Sequence, residues 1–138
     1  MPDTCEVGDS FYITDDKNRH RNVVITKPNK NGKIVIVSFT DAASQREYVV
    51  LFQPKDDERL FYKLTTVAYF YAKLADTTKL TKHRNNKNNG YCRCKPEHVK
   101  RIIKGAFRSE FIPLEIANEL IEQYPTEYAE YCGENIVD

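Results

Sequence analysis

Arg19, His20 and Arg21 stand directly before an apolar run, and Thr40 and Asp41 end the next one. The stretch that joins them, "RHRNVVITKPNKNGKIVIVSFTD" over residues 19–41, holds two apolar segments around a turn-forming Asn31-Gly32 pair. A histidine can move protons near neutral pH, an arginine or lysine can stabilise charge on a phosphoryl group, and a Thr hydroxyl can donate to one of its oxygens. Cleavage of RNA needs those parts, because the substrate's own 2′-OH is the nucleophile, and that chemistry calls for no metal or other cofactor. In an antiparallel hairpin the start of the first strand lies beside the end of the second. Pairing outward from the loop therefore sets residues near 20–22 opposite residues near 38–40. The same residues also suit a solvated strand edge. Asp41 has three roles open to it: turn former, orienter of His20 or salt-bridge partner of Arg21. Lys63 is read first as covering apolar surface with its stem.

No Gly-rich phosphate loop, H-E-x-x-H or G-x-S-x-G occurs, so any chemistry must come from residues that the fold assembles. Cys5, Cys92, Cys94 and Cys132 are too few and too unevenly spaced for a secreted disulfide framework. Cys92, Cys94 and His98 form a C-x-C-x3-H spacing without a second ligand pair, which reads as small buried or loop thiols rather than a zinc site. The N-terminal residues have neither a basic segment nor an apolar one, and no window has the length of a membrane span. A soluble, cytoplasmic protein is the expectation.

Charge is unevenly spread. Residues 79–108 contain 10 Lys/Arg and one acid, Glu97, whereas residues 109–138 contain no Lys/Arg and 8 Asp/Glu. Such blocks act on a polyanion or on each other. Two readings stand side by side: a basic loop that contacts a nucleic-acid backbone, and an acidic helix that packs near the basic one and cancels its field.

These residues need elements to position them, and 138 residues suit one domain, 1–138, with a mainly β part at 1–64 and a mainly helical part at 65–138. "EVGDSFYIT" alternates as a strand, with Phe11 and Ile13 on one side. The runs Asn22–Thr26 and Lys33–Phe39 are apolar on both faces, as for strands covered on two sides in a small closed barrel with a helix packed on it. "REYVVLF" and "ERLFYKL" read as two further strands around the turn-prone Pro54–Asp57. Val67, Phe70, Tyr71 and Leu74, at i, i+3, i+4 and i+7, predict a helix from Thr65 or Thr66 that packs Phe70 and Tyr71 inward and leaves Tyr69 exposed. Residues 76–95 read mainly as a polar loop. Pro96 and Pro113 open two more helices, and Pro125 opens one short final turn. The fold class is α+β: an antiparallel barrel of about five strands with three or so helices, mostly in the C-terminal half.

The segments "VGDSFYI", "HRNVVITKPNKNGKIVIVSFTD", "LFYKLTTVAYFYAKL" and "RIIKGAFRSEFIPLEIANEL" resemble the PemK/MazF-like toxin family across most of residues 7–122. The resemblance implies an SH3-like barrel with appended helices, commonly dimeric. It implies a metal-independent endoribonuclease of a toxin-antitoxin system that cleaves single-stranded RNA, leaves a 2′,3′-cyclic phosphate and is neutralised by a small antitoxin protein. The family places a basic residue at the start of the second strand and a Thr or Ser at the end of the third, positions matched here by His20 or Arg21 and by Thr40. The usual Arg-Pro pair is Arg21-Asn22 in this chain, and the helical C-terminal third is longer. Arg19, Lys63, Lys82, Arg84, Lys87, Arg93 and Lys95 are then the residues expected to hold the strand. The alternative is a non-catalytic barrel module that binds nucleic acid or a protein partner.

Overall fold

The turn at Asn29–Gly32 fixes the central hairpin. The Asn29 side-chain oxygen accepts the N–H groups of Asn31 (2.9 Å) and Lys33 (3.1 Å), and Gly32 takes a φ of +71°, a conformation that favours glycine. The computed structural model describes residues 3–14, 19–44 and 47–134. On either side of the turn run β2 (Arg21–Val24) and β3 (Lys33–Asp41), with Asn22 opposite Ser38 and Val23 opposite Val37, as the outward pairing requires. β1 (Asp9–Tyr12) adds to the free edge of β2, and β6 (Cys92–Arg93) adds to β1.

The other edge of β3 carries β5 (Lys73–Asp76) at its start and β4 (Thr65–Val67) at its end. Between the pairs Phe39 with Val67 and Ile36 with Lys73, β3 moves by three residues and its partner by six. The surplus is extruded as a 3-10 turn, Tyr69–Tyr71. The helix expected over this segment is therefore an interrupted edge strand. Its inward and outward residues are also exchanged: Tyr69 is 1% exposed, Phe70 64% and Tyr71 68%.

All six strands are antiparallel, in the order β4-β3-β2-β1-β6 with β5 also on β3. No pairing among the described residues joins the outer strands to each other, so this sheet is open. "ERLFYKL" forms turns rather than a strand, and from Glu47 onward "REYVVLF" makes only the Phe52–Thr65 bridge; Arg46 lies outside the described residues. Their aromatics fill the core instead, Phe52 stacking on Phe61 at 4.8 Å and Phe39 meeting both edge-on.

Both sheet faces are covered, which is why β2 and β3 read as unbroken apolar runs. On one face Val23, Val35, Val37 and Phe39 pack beneath α2 (Pro96–Arg108), with Ile102, Ile103 and Ala106 turned inward. On the other, Phe11, Val24, Ile34 and Ile36 pack against Cys5 and Leu80. Leu80 belongs to α1 (Thr77–Asn85), a helix in place of the expected loop, started by Asp76, whose carboxylate accepts the Lys79 N–H at 3.1 Å.

Two helices complete the chain, α3 (Leu114–Gln123) and α4 (Pro125–Glu134), the latter longer than the expected single turn. Gln123 clamps α3 to the hairpin by bonding both the N–H (3.0 Å) and the C=O (2.9 Å) of Lys27. No helix among the described residues is long and apolar enough to cross a membrane.

Candidate nucleic-acid interface

Strand alternation decides which polar residues can meet. On β3, Thr40 shares the face of Ile34, Ile36 and Ser38, and opposite Ser38 stands Asn22. The β2–β3 pairing ends there: His20 lies before β2, and residues 39–41 pair with β4, Thr40 opposite Thr66. Ile34 and Ile36 are buried, whereas Ser38, Thr40 and His20 are only half-buried. The Asn22 side chain donates to the His20 carbonyl at 3.1 Å and holds the chain just before β2.

Arg21 goes the other way. It pairs with Tyr12 on the opposite face, donates to Gly90 O (2.7 Å) and Ser10 Oγ (3.1 Å), and lies 4.8 Å from the Tyr12 ring centroid. Arg19, at a φ of +49°, packs on the same ring at 4.9 Å. The β2–β3 pairing thus stops at Asn22–Ser38, short of His20 and Thr40, and the alternation of β2 turns Arg21 to the face opposite that of Thr40. Asp41 proves to be a turn former, accepting the Ala43 N–H at 2.9 Å, and the ion-pair partner of Lys63 at 3.1 Å. Those two contacts hold its carboxyl below the usual range, the N–H contributing most. Lys63 also lies 5.1 Å from the Tyr62 ring centroid.

The basic block divides in the same manner. Lys82 and Lys87 are exposed, and Lys95 donates to Asp56 O at 3.0 Å. Arg84 is 2% exposed and is turned into the protein, onto Asp9 at 3.2 Å and Thr4 O at 2.8 Å. Asp9, itself buried, also accepts from Arg93 (3.1 Å), the Tyr91 hydroxyl (2.9 Å) and the Glu6 N–H (2.8 Å). A buried carboxylate with this many donors locks α1 to β1 and β6. No sequence signal marks Asp9 as that hub, since a lone acid at a strand start is ordinary.

The acidic tail and the basic helix do meet: Glu130 pairs with Lys104 (3.7 Å) and Glu134 with Arg108 (2.8 Å). The Cys92, Cys94 and His98 spacing makes no ligand cluster; among the described residues no group of three His, Cys, Asp or Glu side chains could hold a metal. Cys94 is buried, which pushes its thiol up to about 12. His98 packs on Phe52 at 5.2 Å, with Nδ1 buried and without a hydrogen-bond partner among the described residues.

No protein-family model, curated protein or solved structure matches this chain. The residues and their geometry are what a functional reading has to stand on.

Proposed function

We propose that the protein is a metal-independent endoribonuclease acting on single-stranded RNA, of the PemK/MazF-like kind, with its open antiparallel sheet in the place of that kind's SH3-like barrel. The observation that supports it is the β2–β3 register, with Asn22 opposite Ser38, which would set His20 opposite Thr40 if it continued two residues outward; both residues are half-buried. In this reading the RNA 2′-oxygen attacks the adjacent phosphorus and the P–O5′ bond breaks, leaving a 2′,3′-cyclic phosphate. His20 exchanges the proton, and the Thr40 hydroxyl donates to a non-bridging oxygen. Arg21 holds the strand start against Tyr12 and Gly90, as a positioning residue rather than one that touches the phosphate. A small antitoxin protein and a second copy of the chain are the partners that go with this reading.

Purified protein should cleave single-stranded RNA in EDTA, leaving cyclic-phosphate ends. His20→Ala and Thr40→Ala should abolish cleavage while keeping the circular dichroism spectrum of the parent. Intact RNA after incubation with folded protein would overturn cleavage and favour a non-catalytic module that binds nucleic acid or a protein. The engagement of Arg21 by Ser10, Gly90 and Tyr12, away from Thr40, is what favours that second reading.

A further inference from the structure

A second surface combines cations with an exposed ring. The segment 48–51 runs along the outer side of α2, and the groove between them is lined by Tyr48, Leu51, Arg101, Lys104 and Arg108, with no carboxylate among its lining residues. The three cations stand at i, i+3 and i+7 on one helix face, spread over about 10 Å of axis. Tyr48 is 52% exposed.

The walls are pinned. Arg101 donates to Leu51 O and covers the Phe52 ring at 4.4 Å. Thr66 Oγ1 donates to Val50 O at 2.6 Å, and the Glu47 carboxylate takes the Ser109 hydroxyl (2.6 Å) and the Glu110 N–H (2.8 Å). A groove so held needs little ordering when a ligand enters.

Lys104 and Arg108 also border α4, where they carry Glu130 and Glu134. Both pairs are exposed by about half, and α4 has no buried residue. Such pairs are weak and screened by salt. These cations therefore already take anionic oxygens, from exposed glutamates that another anion can displace, although α4 itself is packed on Phe107 through Tyr128 and Tyr131.

We propose that this groove binds the backbone of single-stranded RNA, with a base stacked on Tyr48, and that the glutamates of α4 compete for the same cations. The row of cations with an exposed ring is the pattern of a sequence-tolerant single-strand site. The proposal rests on RNA as the substrate class, and it adds a holding site beside α2.

The test is fluorescence anisotropy of the full chain with a short labelled 2′-O-methyl oligouridylate, which binds without offering a 2′-OH to cleave. Replacing both Lys104 and Arg108 with Gln should weaken binding at least tenfold at 0.1 M salt. It should also lower the slope of log affinity against log salt by about 1.4, from two lost phosphate contacts. Tyr48→Ala should cost roughly tenfold. Glu130→Gln with Glu134→Gln should tighten binding severalfold, an effect that mere structural damage would not produce. The charge-preserving Lys104→Arg with Arg108→Lys should restore parental affinity. The groove proposal is overturned if the oligonucleotide is not bound, or if it is bound with affinity and slope indifferent to these changes. It is equally overturned if a glutamate-rich peptide binds in preference with the same sensitivity. Groove-dependent binding without RNA cleavage would leave the groove standing and remove the endoribonuclease.

Discussion

Gly105→Ala should destabilise the protein, although alanine in place of a helical glycine normally stabilises by about 1 kcal/mol. The reason is Tyr69, whose hydroxyl donates to Ile102 O at 2.6 Å from a fully buried position. A methyl group at Gly105 would stand 2.5 Å from that hydroxyl oxygen, 3.4 Å from the ring carbon bearing it and 3.5 Å from Val50 Cβ. Tyr69 cannot withdraw without breaking its hydrogen bond, worth about 1 kcal/mol, and crowding a packed core adds about 1–3 kcal/mol. Set against the helical gain, the net loss should be about 2 kcal/mol. Tyr69→Phe alone should cost about 1 kcal/mol. In the double variant the hydroxyl is gone, the nearest neighbours stand at ordinary contact distance and the helical gain returns. Its stability should then lie within about 1 kcal/mol of the parent, where additivity would demand a loss of about 3. Urea unfolding of the four proteins, followed by far-ultraviolet circular dichroism, measures this directly. A Gly105→Ala protein more stable than the parent, or a double variant at the additive value, would refute the account of how the Tyr69–Tyr71 turn is anchored.

Two other perturbations probe the buried polar groups. Asp9→Asn leaves Arg84 charged and buried without its carboxylate, and urea unfolding should show a loss of about 3–5 kcal/mol; Arg93→Ala, at the half-exposed side of the same hub, should cost about 1 kcal/mol or less. His98 should make stability pH-dependent in mildly acid solution. Burial, and after it the nearby Arg101, push its imidazole below the usual range, so the unfolded chain binds more protons just below pH 6.5. The His98 contribution is complete above about pH 6.5 and is lost as pH falls towards the folded value. Asp41, Asp57 and Asp76, whose carboxyls are held low by N–H and cationic partners, add their own loss only below about pH 4. Thermal melts between pH 5 and 7 should slope in the parent and flatten in His98→Leu; an equal slope in both would exclude His98 as the source.

The hairpin was legible because its signals agree: two runs of β-branched residues around an Asn31-Gly32 pair, whose glycine takes the positive φ; the Asn29 side chain that caps the turn was not among them. α2 was legible for the same reason, with Pro96 in its first turn and four apolar residues on one face. The segment 65–76 misled because a short strand, a three-residue extrusion and another short strand reproduce the apolar spacing of a helix. α1 misled in the opposite sense. Its buried face is Thr77, Leu80, Thr81 and Arg84, and such a polar set gives no hydrophobic period to read. Asp76, three residues before the N–H it caps, was the local sign of a helix start. For the candidate site, the pairing of Asn22 with Ser38 followed from the loop, whereas the turning of Arg21 to the far face depended on Tyr12 and Gly90, the latter distant in sequence.

The extruded turn also bears on how the chain behaves among copies of itself. A long, flat edge strand offers a ladder of unpaired amides that a neighbouring molecule can extend into an aggregate. Here that edge is cut into pieces of three and four residues, and the break is held open by a tyrosine locked beneath a helix. Loosening Tyr69 would free the extruded residues and the ends of the strands beside them to pair with another copy, so colloidal stability should decline along with thermodynamic stability in Gly105→Ala.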